Sequence, residues 1–111
     1  MSDASRYSRL LEPGQIGTVK TRNRIYKSAA ATFCFSDTEF DTMNEKVLGF
    51  YGAVARGGVG ILSVETPTVD YPHGCRYPAR YRMDDDKYIP GMKMLVDLIH
   101  SHGCPTFLQM E

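Results

Sequence analysis

Asn44-Glu45-Lys46-Val47-Leu48-Gly49-Phe50-Tyr51-Gly52-Ala53-Val54-Ala55-Arg56-Gly57-Gly58-Val59-Gly60-Ile61-Leu62-Ser63-Val64 is the stretch on which the fold turns. Its first half sets Val47, Leu48, Tyr51 and Val54 on one face of a helix, since neighbours on a helix face recur every three to four residues. Thr42 or Asn44 can cap the start, and Glu45 falls in the first turn, near the positive end of the helix dipole. The pair Gly57-Gly58 stops the helix, because glycine adopts the left-handed cap conformation at little cost. The second half, Val59 to Val64, is almost continuously apolar. A strand buried on both faces reads this way, as in a parallel sheet.

The same alternation extends to both sides. Upstream, Arg24-Ile25-Tyr26-Lys27-Ser28 is a strand candidate of mixed pattern, followed by a long loop-like stretch, Ala29 to Asp41. Downstream, residues 65–89 form a second long connection containing Pro67, Pro72, Gly74 and Pro78. Pro90 suits the first turn of a second helix, whose wide apolar face is Met92, Leu95, Val96, Leu98 and Ile99. His102-Gly103 closes it, and Pro105 to Gln109 reads as a third strand. Strand, helix, strand, helix, strand implies α/β architecture with a parallel sheet and right-handed crossovers. Both long loops follow the C-terminal end of a strand, where parallel α/β folds place their sites. Ahead of this unit, residues 1–9 are polar and expected to be a flexible N-terminus. Leu10 to Gly14 reads as a turn, and Ile16 to Val19 as a short extended piece.

Composition narrows the class. The 111 residues are 42% hydrophobic and 23% charged, so the chain is an ordinary globular one rather than a disordered or fibrous one. Thirteen Lys+Arg balance thirteen Asp+Glu, and no bulk field draws the chain to nucleic acid or to an anionic membrane. No apolar run is long enough to span a bilayer, and Met1 to Arg6 lacks the apolar core of a signal peptide. Cys34, Cys75 and Cys104 are too few and too scattered for a disulfide framework or an iron–sulfur cluster. A reducing compartment, the cytoplasm, is the expectation.

Most chemical-looking features have plain explanations. Gly57 to Gly60 closes a helix and opens a strand, the reverse of a phosphate loop. His100 and His102 stand two apart and so do not share a helix face, and cations at a helix C-terminus account for them better than a metal does. Asp84-Asp85-Asp86-Lys87 reads as a solvated run before the second helix. Lys20, Arg22, Arg24 and Lys27 could serve a nucleic-acid binder, but the neutral total favours a solvated face. Two features survive this weighing. Ser28-Ala29-Ala30-Ala31-Thr32 directly follows the first strand, and its small side chains either let a planar ligand reach the backbone or simply pack a loop. Gln109 ends the third strand, and its carboxamide either reads the edge of a pyrimidine-like ring or faces solvent.

The motifs taken together resemble the N-terminal portion of the old yellow enzyme family, the FMN-dependent ene-reductases. The resemblance runs from about Leu10 to the last residue. It is carried by Leu11-Glu12-Pro13 with Ile16-Gly17, Arg22-Asn23-Arg24-Ile25, Phe50-Tyr51, Arg56-Gly57-Gly58-Val59-Gly60 and Val64-Glu65-Thr66. Ile89-Pro90-Gly91, Leu95-Val96-Asp97, His100-Ser101-His102-Gly103 and Leu108-Gln109 complete it. What the resemblance implies is the N-terminal part of a (β/α)8 TIM barrel, with about three β-strands, two helices and an N-terminal hairpin at Ile16 to Arg22. FMN would sit at the C-terminal mouth, reduced by NADH or NADPH, and pass hydride to an activated alkene of small-molecule type. By position, Ser28, Ala29, Ala30 and Ala31, with Thr66 and Gln109, match the family's flavin-contacting segments. Phe33 lies where some relatives place an aromatic residue over the substrate.

The resemblance also implies departures. Ala29 stands where many members carry a proline, and Ala31 where many carry a Thr or Cys near the flavin O4. A barrel needs about eight strands, and the family's substrate-anchoring and catalytic residues are expected beyond Glu111. Residues 10–111 therefore read as part of a larger FMN-binding domain, inactive alone. The alternative is a non-catalytic remnant or a partner-dependent piece, and an oligomer stays open.

Overall fold

In the computed structural model, residues 6–32, 43–75 and 82–111 are described. The architecture follows from one segment. Helix α2, Glu45–Arg56, begins at Asn44, whose side-chain Oδ1 accepts from the Val47 N–H at 2.8 Å. Of the two candidate caps, Asn44 is the one in place, while Thr42 lies outside the described residues. At the far end, Gly57 stays helical and Gly58 takes φ +100°, so the left-handed turn falls on the second glycine of the pair. Strand β4, Ile61–Val64, follows and is buried along its whole length, as its nearly continuous apolar character implies, with Ser63 the one polar residue in it.

Strand β3, Tyr26–Lys27, pairs parallel to β4, with Tyr26 opposite Ile61. It is shorter than the stretch read from sequence, Arg24 to Ser28. On the other side β4 pairs parallel to β5, Thr106–Leu108, with Leu62 opposite Thr106 and Val64 opposite Leu108. Helix α3, Ile89–Ser101, joins them with Pro90 in its first turn, preceded by a 3-10 turn at Asp86–Tyr88. The sheet order β3-β4-β5 with helical crossovers makes two consecutive βαβ units.

The core lies between the helices and one face of this sheet. Val47, Tyr51 and Ala55 of α2 meet Leu62 and Val64 of β4, and Met92, Leu95 and Ile99 of α3 close the cluster with Cys104. Burial raises the Cys104 thiol above the ordinary range, which marks it as a packing residue rather than a nucleophile. Alternation along the strands turns Ser63 to the opposite face, where its hydroxyl and that of Tyr26 are 2.5 Å apart. Phe107, opposite Ser63, is 44% exposed, and Tyr26 is 54% exposed. That second face is the side of the sheet turned away from the helices.

Before β3, a two-stranded hairpin runs from β1, Gly14–Ile16, to β2, Val19–Thr21, turning at Gly17 with φ +57°. The extended piece read at Ile16 to Val19 is thus the bend of a hairpin, its two ends in different strands. Ser8–Leu11 forms one helical turn, α1, in a region read as frayed and turn-like. Arg22 ties the hairpin to the βαβ units. Its guanidinium donates to the carbonyls of Ala55 at 2.7 Å, His102 at 2.8 Å and Val59 at 3.0 Å. A cation thus sits at the C-terminal ends of both α2 and α3, where the helix dipoles favour it.

The basic cluster is a solvated face only in part: Lys20, Arg22 and Arg24 are exposed, but two of these three have partners and Lys27 turns inward. Arg22 is engaged as above, Arg24 pairs with Glu12 at 3.5 Å, and the Lys27 amine is buried between helix and sheet. The acidic run is likewise partly structural. Asp84 holds Arg82 through two hydrogen bonds, 2.7 and 2.8 Å, and this pairing keeps its carboxyl below the usual carboxylate range. Asp85 caps the 3-10 turn by accepting from the Lys87 N–H.

Candidate functional site

Three chain segments leave the C-terminal ends of the parallel strands and meet. They are Ala29 to Thr32 after β3, Glu65 to Thr68 after β4, and Gln109 to Glu111 after β5. Main-chain bonds hold the last two together: Gln109 N–H donates to Val64 O at 3.2 Å, Glu111 N–H to Pro67 O at 3.0 Å, and Val69 N–H to Glu111 O at 3.0 Å. Between the segments lies an open pocket of about 300 Å³ lined by Ala29, Ala30, Ala31, Glu65, Thr66, Gln109, Met110 and Glu111.

Five of the six residues singled out for a cofactor line this one pocket, although they come from three separate parts of the sequence. Ser28 lies at its approach, exposed, one residue before the lining begins. Phe33, singled out for a substrate, lies outside the described residues. A second cavity, about 340 Å³, opens under the hairpin at the other end of the strands, beside Gln15, Ile16, Tyr26 and Ile61. It contains none of the residues picked for chemistry. Among the described residues no cluster of His, Cys, Asp and Glu is arranged to hold a metal ion, and His100 and His102 form no such group. No helix among them is long and apolar enough to cross a membrane.

The lining suits a flat, polar-edged ligand. Three consecutive alanines project only methyl groups, so the peptide N–H and C=O groups of that segment stay within reach. Gln109 is exposed and Thr66 half-buried, each with a side chain able to donate and accept. The residues present therefore fit the ring portion of a flavin, while groups to hold a phosphate are not among them.

The sequence reading gave Glu65 and Lys27 no role at this site. Glu65 is only 4% exposed, and its carboxylate accepts from the Thr32 N–H at 2.6 Å and from the Thr32 hydroxyl. Its own N–H donates to the hydroxyl of the fully buried Tyr51 at 2.9 Å. The signal was available: a carboxylate directly after four buried strand residues has to find donors. Lys27 packs its ammonium 5.3 Å from the Tyr51 ring centre and 5.5 Å from that of Phe50. Its amine makes no hydrogen bond among the described residues. Burial pulls its pKa below the ordinary lysine value, and the negative charge of Glu65 opposes that shift.

A parallel βαβαβ unit with a small-residue pocket at its strand ends is the arrangement with which a (β/α)8 barrel begins. The profile of the NADH:flavin oxidoreductase / NADH oxidase family matches residues 9–111, and the chain belongs to that family, as an N-terminal portion of the old yellow enzyme type. It is 36% identical over 105 residues to an NADH oxidase of Thermoanaerobacter brockii, covering 95% of this chain and 16% of that protein. It is 32% identical over 101 residues to a metal reductase of Desulforamulus reducens, covering 91% of this chain and 14% of that one. The chain thus spans about one sixth of the length of these two relatives. Among solved structures, a 2-naphthoyl-CoA reductase superposes with a TM-score of 0.81 at 23% identity, over 94% of this chain and 16% of that one. The old yellow enzyme of Trypanosoma cruzi gives 0.75 at 23% identity, over 95% and 27%. At such identities the structures bear on fold alone, and the fold they share is the barrel.

Proposed function

We propose that residues 10–111 are the N-terminal part of an FMN-dependent oxidoreductase. The whole protein would take hydride from NADH or NADPH and deliver it to the activated C=C bond of an enone, enoate or dienoyl substrate. The single observation that carries this reading is the convergence of Ala29, Ala30, Ala31, Thr66 and Gln109 on one pocket at the strand ends. Bound FMN supplies the two-electron hydride chemistry. This chain supplies ring-edge recognition. Peptide groups of Ser28 to Ala31 meet the polar edge of the ring, the Gln109 carboxamide donates and accepts at its pyrimidine half, and Thr66 provides a small polar wall. Phe33 is assigned to the substrate side. The residues that act on substrate are assigned to the remainder of the barrel, and the segment by itself turns over nothing.

The test is FMN binding by the full-length native protein, followed by quenching of flavin fluorescence. Gln109→Ala removes a bidentate contact and is expected to weaken binding about tenfold. Ala30→Tyr fills the pocket and is expected to abolish it. Wild-type affinity in both variants would refute the assignment, and a native mass near 12.5 kDa would rule out a closed barrel.

A further inference from the structure

The pocket wall formed by Ala29, Ala30 and Ala31 belongs to neither strand nor helix, and its side chains offer no group that could hold it in place. Something outside the segment has to fix its peptide groups, because a wall that recognises a ligand through backbone N–H and C=O works only if those groups are pre-aimed. One side chain reaches it from the neighbouring strand. Glu65 holds Thr32, the last described residue of the segment, through both its main-chain N–H and its hydroxyl. Glu65 is itself fixed from behind, since its N–H is bonded to the Tyr51 hydroxyl on the buried face of α2. A continuous path therefore runs from the helix layer to the pocket wall: Tyr51, Glu65, Thr32, Ala31.

We propose that Glu65 is a positioning residue for the cofactor, a buried carboxylate that sets the aim of the Ala29–Ala31 peptide groups by holding Thr32 at two points. This inference rests on the proposed FMN reading and adds a role that the ring-contacting residues do not cover. Glu65 acts through Thr32. A carboxylate suits the task because it accepts two hydrogen bonds at once, and charge-assisted bonds of this kind are about twice as strong as neutral ones. Glutamine keeps the shape but has a single acceptor oxygen, so it can hold only one of the two Thr32 donors in the same pose. Tyr51→Phe loosens the same path one step further back while leaving the carboxylate intact.

The experiment uses the full-length native protein with two independent readouts. The first is amide hydrogen exchange across residues 28–32 without FMN. The second is FMN affinity together with the flavin absorption spectrum of the reconstituted protein. Glu65→Gln and Thr32→Val are each expected to speed Thr32 exchange and weaken FMN binding about tenfold, with a shifted flavin spectrum. The double variant is expected to do no worse than either single one, since both cut the same tie. Thr32→Ser keeps both donors and is expected to restore wild-type behaviour, which a loss of folding stability alone would not predict. Should Glu65→Ala fail to fold, Glu65→Gln and Thr32→Val carry the test. Unchanged exchange, or faster exchange with unaltered FMN affinity and spectrum, overturns the proposal. Failure of the wild-type protein to take up FMN overturns the proposed function and the cofactor role of Glu65 with it, while the exchange readout still decides whether the tie exists.

Discussion

Replacing Arg22 should unfasten the lower end of the barrel segment. One guanidinium makes three bonds to carbonyls in three different parts of the chain: Ala55 near the end of α2, His102 at the end of α3, and Val59 at the entry to β4. Arg22 is exposed, so water competes for each donor, and a net value of about 0.5–1 kcal/mol per bond is the right scale. A cation beside two helix C-termini adds a few tenths to about 1 kcal/mol for each helix at low salt. The three carbonyls can be rehydrated when the side chain is cut, which keeps the loss below a full buried-group penalty. Arg22→Ala is therefore expected to cost about 2–3 kcal/mol, read as a lower midpoint in urea unfolding with an unchanged slope. The informative comparison is Arg22→Lys. An ammonium is a point donor and cannot span three carbonyls on different elements, so lysine should recover less than half of the loss. Salt separates the two contributions, since only the charge–dipole part is screened. If Arg22→Lys unfolds within about 0.5 kcal/mol of the wild type, the fork geometry contributes nothing and the reasoning fails.

Three further outcomes are expected. At Gly60 a Cβ would stand 2.2 Å from the Asn23 carbonyl oxygen and 2.6 Å from its side-chain oxygen, so Gly60→Ala is expected to cost about 3 kcal/mol or more in unfolding free energy. A loss under about 1 kcal/mol would show that the two segments part easily. Lys27 has its pKa lowered on folding, so the unfolded chain binds more protons between the folded value and 10.5, and stability should rise with pH across that window. Lys27→Met should flatten that alkaline rise, and superimposable pH–stability curves would contradict the assignment. Ala31→Thr offers a hydroxyl where the family resemblance places the flavin O4; one hydrogen bond of about 1 kcal/mol, made to the reduced ring, should raise the midpoint potential by roughly 20 mV, and an unmoved potential would remove Ala31 from that contact.

The order of elements was legible because each is decided by short-range chemistry. Asn44 caps, Gly57-Gly58 stops, and Ile61 to Val64 is apolar but for Ser63, so α2 and β4 stand within a residue or two of their expected bounds. Strand β3 was overestimated for a physical reason. Its length is set by how many residues find a partner on β4, and only Tyr26 and Lys27 do, a fact about pairing that the segment's own composition does not encode. The Ile16 to Val19 bend was misjudged because the positive φ falls on Gly17 between two β-formers, and a strand interrupted by one glycine looks like a strand.

The charged residues were the least legible part, and they explain why the site was only half visible. Lys20, Arg22, Arg24 and Lys27 look alike in sequence, yet one bridges two helix ends, one pairs with Glu12, and one is buried beside two aromatic rings. Their fates depend on partners 12 to 80 residues away, such as Glu12 for Arg24 and His102 for Arg22. Glu65 is the sharpest instance, because its partners Thr32 and Tyr51 lie 33 and 14 residues back and reach it only once the parallel sheet and its helix are assembled. The alanines and Gln109 could be singled out in sequence, since small size and a carboxamide are local to each residue. The carboxylate that holds that wall in place is a property of the fold, and for that reason its effect should appear first in the motion of Thr32 and only afterwards in the behaviour of the cofactor.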